Sequence, residues 1–207
     1  MDDVKRRAYR SSIRRGDAPK LICAAAHRLF STKGYLATSI EEIAAEAGVA
    51  RPTVFTAVGR KPAILKAVVD QALAGDEAPM AIAERTWWKE ALDEPDPVRS
   101  VQLHARNVCW INQRAAPLLK ALEAASTADP EAALLWQEHQ RQRRAGMASF
   151  VASLATKTTL RCDEQTATDT LWTLVPSAYL RLVQDLGWPI EKFQEWLADV
   201  LRRVLIE

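Results

Sequence analysis

Apolar residues recur at helical spacing near the start of the chain. After Pro19, a favoured first residue of a helix, the segment "KLICAAAHRLFSTKGY" places five apolar residues on one helical face. Gly34 stands where such a helix would end. The pattern predicts a helix over residues 19–33 with one buried face: Ile22, Ala25, Ala26, Leu29 and Phe30.

A second and a third helix follow with almost no chain between them. Thr38 or Ser39 caps the second, with Glu41 or Glu42 in capping-box position, and Gly48 ends it after about two turns. The third is equally short, and a fourth is predicted from Pro62 to about Ala74. Two short helices joined by a tight glycine turn, after a preceding helix, predict a helix-turn-helix. The inward residues are Ile40, Ile43, Ala44 and Ala47 on the second helix and Val49, Val54 and Val58 on the third.

The rest of the chain is also predicted to be helical. Asp96 and Pro97 open a segment that Pro117 is expected to divide into two helices, and Asp129 and Pro130 open a helix to about Ala155. Two more helices follow, the last with an apolar stripe of Phe193, Trp196, Leu197, Val200, Leu201 and Val204. Alternating Val/Ile/Thr runs are absent, so the expected fold class is all-α.

Composition narrows the possible settings. The 207 residues are 48% hydrophobic, enough for a sizeable core. The sequence has no stretch typical of a signal peptide or a transmembrane helix, which predicts a cytoplasmic chain that does not enter the membrane. Three scattered cysteines, Cys23, Cys109 and Cys162, favour reduced thiols.

Charge is unevenly distributed along the chain. Residues 1–66 hold 13 Lys/Arg and 6 Asp/Glu, net +7, whereas residues 67–207 hold 15 and 20, net −5. The basic leader at residues 1–18 is interpreted as a flexible arm. On the third helix, Arg51, Thr53, Phe55 and Thr56 avoid the apolar stripe and offer a guanine reader, hydroxyls and a ring. The pattern predicts a recognition helix for double-stranded DNA.

The run "LICAAAHRLFSTKGYLATSIEEIAAEAGVARPTVFTAVGRKPAILKAVVDQAL" resembles the DNA-binding domain of the TetR family of transcriptional regulators. The resemblance implies base contacts by the start of the third helix and phosphate contacts by the hydroxyl residue that opens the second helix and the lysine that opens the fourth. Phe55 replaces the tyrosine of many members, and Ala57 a polar residue. The predicted DNA-binding residues are Thr38, Ser39, Arg51, Pro52, Thr53, Phe55, Thr56, Arg60 and Lys61.

The later segments "LLWQEHQRQRRAGM" and "YLRLVQDLGWPIEKFQEWLADVL" also resemble TetR regulators. The resemblance implies a homodimer that reads an inverted-repeat operator and a small-molecule effector that releases it. Tryptophans on three predicted helices could line an apolar cavity, with polar residues beside them. The predicted ligand-binding residues are His104, Asn107, Trp110, Trp136 and Trp172, and the predicted interface lies near Trp172, Leu180, Trp196 and Leu201.

The domain prediction is an arm at 1–18, a DNA-binding domain at 19–66 and an effector-binding and dimerisation domain at 67–207. The run Arg141, Arg143 and Arg144 is interpreted as a solvated helix face. No Gly-rich phosphate loop, metal-ligand spacing or nucleophile elbow is present, so neither catalysis nor a metal or cofactor is expected. Two alternatives remain: a dimeric repressor that binds no ligand, and an all-helical small-molecule carrier.

Overall fold

A computed structural model describes residues 16–76 and 80–206. Residues 1–15, most of the predicted arm, lie outside the described residues. The all-α prediction is confirmed: within the described ranges all regular secondary structure is helical, apart from an isolated bridge between Leu160 and Ile206. The α-helices are α1 Ala18–Thr32, α2 Ile40–Ala47, α3 Arg51–Ala57, α4 Lys61–Ala74, α5 Thr86–Asp93, α6 Pro97–Ser126, α7 Pro130–Ala155, α8 Glu164–Tyr179 and α9 Ile190–Leu205.

The described residues form two compact units. One contains residues up to Ala72 and returns with Pro117–Trp136; the other contains Leu73–Ala116 and the residues from Gln137 onwards. The long helices α6 and α7 each contribute to both units. The sequence-based boundary at residue 66 did not include the returning segment Pro117–Trp136.

The helix-turn-helix forms as its pattern predicts. The Ser39 hydroxyl accepts a hydrogen bond from the Glu42 amide at 3.1 Å, while the Glu42 carboxylate accepts one from the Ser39 amide at 2.9 Å. This reciprocal capping box fixes the start of α2. Gly48 ends α2 with φ of 70°, a left-handed conformation that glycine adopts without steric cost. The tight turn places α3 directly after α2.

The core of this unit draws on both of its segments. Buried apolar residues of α1 to α4 include Ile22, Phe30, Ile43, Val54, Ile64 and Leu65. The returning segment adds buried residues from the end of α6 and the start of α7: Leu118, Leu122, Ala125 and Ala132. Burying a leucine side chain contributes about 1.5–3 kcal/mol, so the returning segment is a substantial part of this core.

The expected break at Pro117 is wrong, because α6 is one continuous helix from Pro97 to Ser126. A proline inside a helix removes one amide donor and crowds the carbonyl four residues earlier, at a cost of about 3 kcal/mol. Its neighbours Ala115, Ala116 and Leu118 are all buried. Packing on both sides of the proline offsets the local cost and keeps the helix intact.

The second unit is built around apolar faces of α6, α7, α8 and α9. Its core includes Val101, Val108, Phe150, Leu154, Leu171, Phe193, Leu197 and Leu201. Helix α5, which the pattern analysis did not predict, is attached to α6 because Asn107 Nδ2 donates to the Trp87 carbonyl at 2.7 Å and Ser100 Oγ to the Ala91 carbonyl at 2.6 Å. After α8, a π-helical turn spans Leu180–Asp185.

The arginine run on α7 is not uniformly solvated. Arg141 is exposed and pairs with Glu138, as a solvated face would. Arg143, however, is half-buried: its guanidinium lies 4.9 Å from the Trp172 ring centroid, and its Nη1 donates to the Trp172 carbonyl at 2.7 Å. Burial lowers the pKa of Arg143 to about 10. Arg143 therefore anchors α8 to α7, which corrects the sequence-based interpretation.

Candidate DNA-binding surface and candidate ligand site

Helix α3 presents one polar face to solvent. Val54 is fully buried and fixes the helix against α1 and α2, whereas Arg51, Pro52, Phe55 and Thr56 are exposed. Thr53 is half-buried. Four of the five α3 residues predicted to contact DNA thus lie on an accessible surface. Pro52, at the second helical position, suits a helix start because its missing amide hydrogen would have no partner there.

Arg51 is held in place by two neighbours. Its Nε lies 2.5 Å from Oε1 of Glu41, and its guanidinium carbon lies 5.1 Å from the centroid of the Phe55 ring. The arginine side chain nevertheless keeps 60% of its exposure. A guanidinium ordered in this way offers a fork of donors that suits guanine O6 and N7.

Three of the four hydroxyl residues of the predicted set already make local hydrogen bonds. Thr38 is only 2% exposed, and its Oγ1 donates to the Gly34 carbonyl at 2.8 Å. Ser39 caps α2, and the Thr56 hydroxyl donates to the Thr53 carbonyl at 3.2 Å. Phosphate contacts by Thr38 and Ser39 stay predictions. Thr38 would have to rotate its hydroxyl away from Gly34 to donate to a phosphate.

Lys61, at the start of α4, lies over the ring of Tyr35, with 4.2 Å between its Nζ and the ring centroid. The Tyr35 hydroxyl donates to Oδ2 of Asp129 at 2.6 Å. Partial burial lowers the pKa of Lys61, against the attraction of Asp129 and Glu42, which raises it. Lys61 therefore sits in a semi-enclosed position built by Tyr35 and the α6–α7 turn.

Asp129 serves two partners at once. Its Oδ1 accepts the Glu131 amide at 2.9 Å and so caps α7, as predicted, while its Oδ2 accepts the Tyr35 hydroxyl. The Tyr35 bond is the largest cause of the lowered pKa of Asp129. Nearby, Arg60 Nη1 lies 3.6 Å from Glu131 Oε1. The sequence analysis missed the link from Tyr35 to Asp129, and only the cap role of Asp129 had a sequence signal.

These groups surround an open groove of about 490 Å³ in the helix-turn-helix unit. One wall is basic and apolar, from α2 to α4; the other is acidic, from the α6–α7 turn. The lining residues are Tyr35, Leu36, Ile40, Phe55, Arg60, Lys61, Pro62, Ala128, Asp129, Pro130 and Glu131. Three predicted DNA-contacting residues, Phe55, Arg60 and Lys61, therefore line the same groove as Asp129. Asp129 is 94 positions from Tyr35 in the sequence.

His104 is the most unusual of the predicted ligand residues. It is 0% exposed, stacked on Phe150 at a centroid distance of 3.8 Å and edge-on to Trp88 at 5.7 Å. Burial lowers its pKa to about 3, so the imidazole is neutral. Neither ring nitrogen has a hydrogen-bond partner in the described part of the chain. Such a group offers one donor and one acceptor to an incoming molecule.

The other four predicted ligand residues differ in position. Trp172 is half-buried in the second unit, and its Nε1 has no hydrogen-bond partner among the described residues. Asn107 supports α5. Trp110 is 41% exposed, with Arg106 over its ring at 4.6 Å, so it does not line an interior cavity. Trp136 lies in the unit of the helix-turn-helix. Trp136 thus belongs to a different unit from the other four, and His104 and Trp172 have buried side-chain nitrogens without a hydrogen-bond partner among the described residues.

Two absences limit the chemistry of the described residues. In ranges 16–76 and 80–206, no group of three or more His, Cys, Asp or Glu side chains is placed to hold a metal ion. Among the same residues, no helix combines the length and apolar character needed to cross a bilayer.

This architecture is similar to that of known proteins. Residues 22–68 match the family described as bacterial regulatory proteins, tetR family. No curated protein gives a significant sequence match. Three solved structures share the fold at low sequence identity, so each likeness concerns the fold alone.

The TetR-family regulator PfmR of Thermus thermophilus is 19% identical, with a TM-score of 0.69 over 90% of this chain and 99% of that one. NalD of Pseudomonas aeruginosa, the secondary repressor of the MexAB-OprM multidrug efflux pump, is 20% identical, with a TM-score of 0.69 over 94% and 99%. The multidrug binding protein EbrR, solved with imidazole, is 19% identical, with a TM-score of 0.57 over 91% and 89%. The helix-turn-helix geometry and the family match identify residues 22–68 as a module of the tetR family of bacterial regulatory proteins, and the described chain shares its fold with a solved regulator of that family.

Proposed function

We propose that the chain is a homodimeric repressor that binds an inverted-repeat operator and leaves it when a small, uncharged or weakly polar effector binds. The proposal that the chain reads a DNA sequence is supported by Arg51, which is exposed and held beside Phe55 at the start of α3. One short recognition helix reads few base pairs, and a two-fold pair of them reads an inverted repeat.

Arg51 and Lys61 are proposed to have different tasks. Arg51 reads a base pair in each half-site, so Arg51→Ala should cost about 1–3 kcal/mol and relax preference at that pair. Lys61 contacts phosphate, so Lys61→Ala should weaken binding to all sequences similarly. Both are measured on a duplex that the wild-type chain selects from a random pool and on a mixed-sequence duplex. If Arg51→Ala lowers the affinity for the two duplexes equally, Arg51 contacts the DNA phosphates and does not read a base.

The basic arm is proposed to add phosphate or minor-groove contacts. Deleting residues 1–15 should weaken binding and lower the slope of log affinity against log salt by about 0.9 for each lost contact. An unchanged slope in that titration would leave the arm without a role in DNA binding.

The dimer interface is proposed on the π-helical turn and α9. Leu186 is 67% exposed and Val204 is also exposed, with half-buried Trp196 on the same helix as Val204. Leu201, expected near the interface, is fully buried in the core of its own chain, so a charge there would test folding instead. Leu186→Asp should therefore produce monomers in sedimentation velocity. Leu134, equally exposed in the other unit, is the matched control, and a dimeric Leu186→Asp chain would move the interface elsewhere.

The effector site is proposed around His104. Its two unpartnered, fully buried nitrogens would each regain a hydrogen bond from a ligand that carries a donor and an acceptor, inside an apolar setting of Phe150 and Trp88. The names of two relatives agree with such a role, because EbrR is a multidrug binding protein and NalD represses a multidrug efflux pump.

The test is a pair of titrations with hits from a thermal-shift screen of small molecules, followed by tryptophan fluorescence. Because coupling is reciprocal, a ligand that weakens DNA binding tenfold must itself bind about tenfold more weakly to the DNA complex. Equal affinity for free chain and complex would mean that the bound molecule does not control DNA binding, and it would favour a dimeric repressor without an effector. A chain that shifts no DNA yet binds hits would favour the carrier.

A further inference from the structure

We infer that Glu41 is a specificity-determining positioning residue: it restrains Arg51 for base reading and keeps the same arginine from binding phosphates at random sequences. The inference rests on the proposed role of Arg51. Glu41 lies on the second helical position of α2, and its Oε1 is 2.5 Å from Arg51 Nε on α3.

Local structure does not require a carboxylate at position 41. The capping box uses Ser39 and Glu42, and Glu42 also pairs with Lys33. Glu41 contributes no side-chain hydrogen bond to that cap, and its side chain is 63% exposed. An acidic residue in the first turn favours the helix dipole, but Glu42 already supplies that charge.

The position of Glu41 is unfavourable for simple DNA affinity. An exposed carboxylate beside the recognition helix repels phosphates, whose attraction to Lys and Arg supplies most nonspecific binding. While Arg51 is paired with Glu41, the two side chains carry no net charge. On a duplex without a matching base, Arg51 would have to leave Glu41 unpaired next to the DNA in order to reach a phosphate.

On a matching sequence the same pair is compatible with binding. The contact to Glu41 is made through Nε, whereas the terminal amino groups of a guanidinium are the donors that reach the two acceptors of guanine. The Phe55 ring restrains the guanidinium from a second side. Glu41 therefore lowers the affinity for random sequences more than the affinity for the operator. This difference in affinity increases the specificity for the operator.

The experiment compares Glu41→Gln with Glu46→Gln in the full-length chain. Glu46 is the matched control, because it lies on the same helix and pairs with another arginine, Arg28, at 2.9 Å. Affinity is measured by fluorescence anisotropy over a range of salt concentrations, on the duplex selected by the wild-type chain and on a mixed-sequence duplex of the same length. Circular dichroism confirms folding, and Glu41→Ala serves as a second variant.

Glu41→Gln should bind the mixed-sequence duplex about two- to fivefold more tightly per DNA-binding domain, as the loss of one exposed paired charge implies. Its nonspecific salt slope should steepen by about 0.9 for each phosphate that Arg51 gains. Binding to the selected duplex should not tighten, so the specificity ratio falls by about the same two- to fivefold. When Arg51→Ala is also present, Glu41→Gln should no longer alter the affinity, the salt slope or the specificity ratio.

A specificity ratio for Glu41→Gln equal to that of Glu46→Gln would overturn the inference. So would persistence of the effect without Arg51. A wild-type chain that selects no sequence from the pool would instead contradict the proposed function itself, and the two failures are thereby distinct.

Discussion

The hydrogen bond from Tyr35 to Asp129 gives a quantitative prediction for Tyr35→Phe, which removes only the hydroxyl. A hydrogen bond to a charged group contributes about 1.5–3 kcal/mol when protected from solvent. Asp129 is half-exposed and water can replace the lost donor, so we expect about 1 kcal/mol, or a melting temperature lower by about 2–4 °C for a chain of this size.

The loss should depend on pH in a defined way. The pKa of Asp129 is lowered, chiefly by the Tyr35 bond, so its contribution is present above the unfolded value of 3.8 and is lost as pH falls through the lowered folded pKa. The pKa of Tyr35 is raised by burial and by Asp129, so its contribution is present below 10 and is lost as pH rises above it. Wild type and Tyr35→Phe should differ by a constant amount between about pH 5 and 9. Below that window the difference should shrink, and above it the wild type should lose stability relative to Tyr35→Phe.

The assay is urea unfolding followed by circular dichroism, with a double-mutant cycle. Asp129→Asn keeps a good helix cap, so its coupling with Tyr35→Phe isolates the shared bond. Tyr179→Phe is the control, because Tyr179 is buried to a similar extent but belongs to the unit that does not contain Asp129. A coupling energy below about 0.3 kcal/mol, the usual limit of additivity, would refute the reasoning.

Four further changes are checked by the same unfolding assay, and the last of them also by the effector titration. Gly48→Ala forces a side chain into a left-handed conformation and should cost about 1–2 kcal/mol, whereas Ser39→Ala removes the cap and should cost about 1 kcal/mol. Pro117→Ala should stabilise the chain by about 1–3 kcal/mol, and a loss would mean that the proline ring is needed for packing. His104→Leu should not lower stability but should abolish the response to effector, and a large loss would make the imidazole structural.

The sequence predicted those features whose causes lie within a few residues. Ser39 with Glu42 and the left-handed Gly48 follow from local backbone chemistry, and the exposed face of α3 follows from its periodicity. The expected break at Pro117 failed because burial of its neighbours outweighs a local cost.

Long-range partners had no comparable signal in the sequence. Tyr35 and Asp129 are 94 positions apart, and the residues around either one give no indication that the other is its partner. For Arg51 the sequence indicated an exposed reader, but it did not distinguish which of two adjacent glutamates would pair with it. That choice depends on the crossing of α2 and α3, which places Glu41 beside the recognition helix while Glu42 completes the cap.

The returning segment Pro117–Trp136 has a consequence for engineered chimeras of such regulators. A graft that exchanges only the N-terminal residues up to Ala72 would separate Tyr35 and Arg60 from the acidic residues that they contact here and Lys61 from the attraction of Asp129. It would also remove part of the core around Leu118. A recipient without a carboxylate at the equivalent turn would receive Tyr35 and Arg60 without their acidic partners. Transplanting this helix-turn-helix unit with its contacts intact therefore requires two non-contiguous pieces of chain.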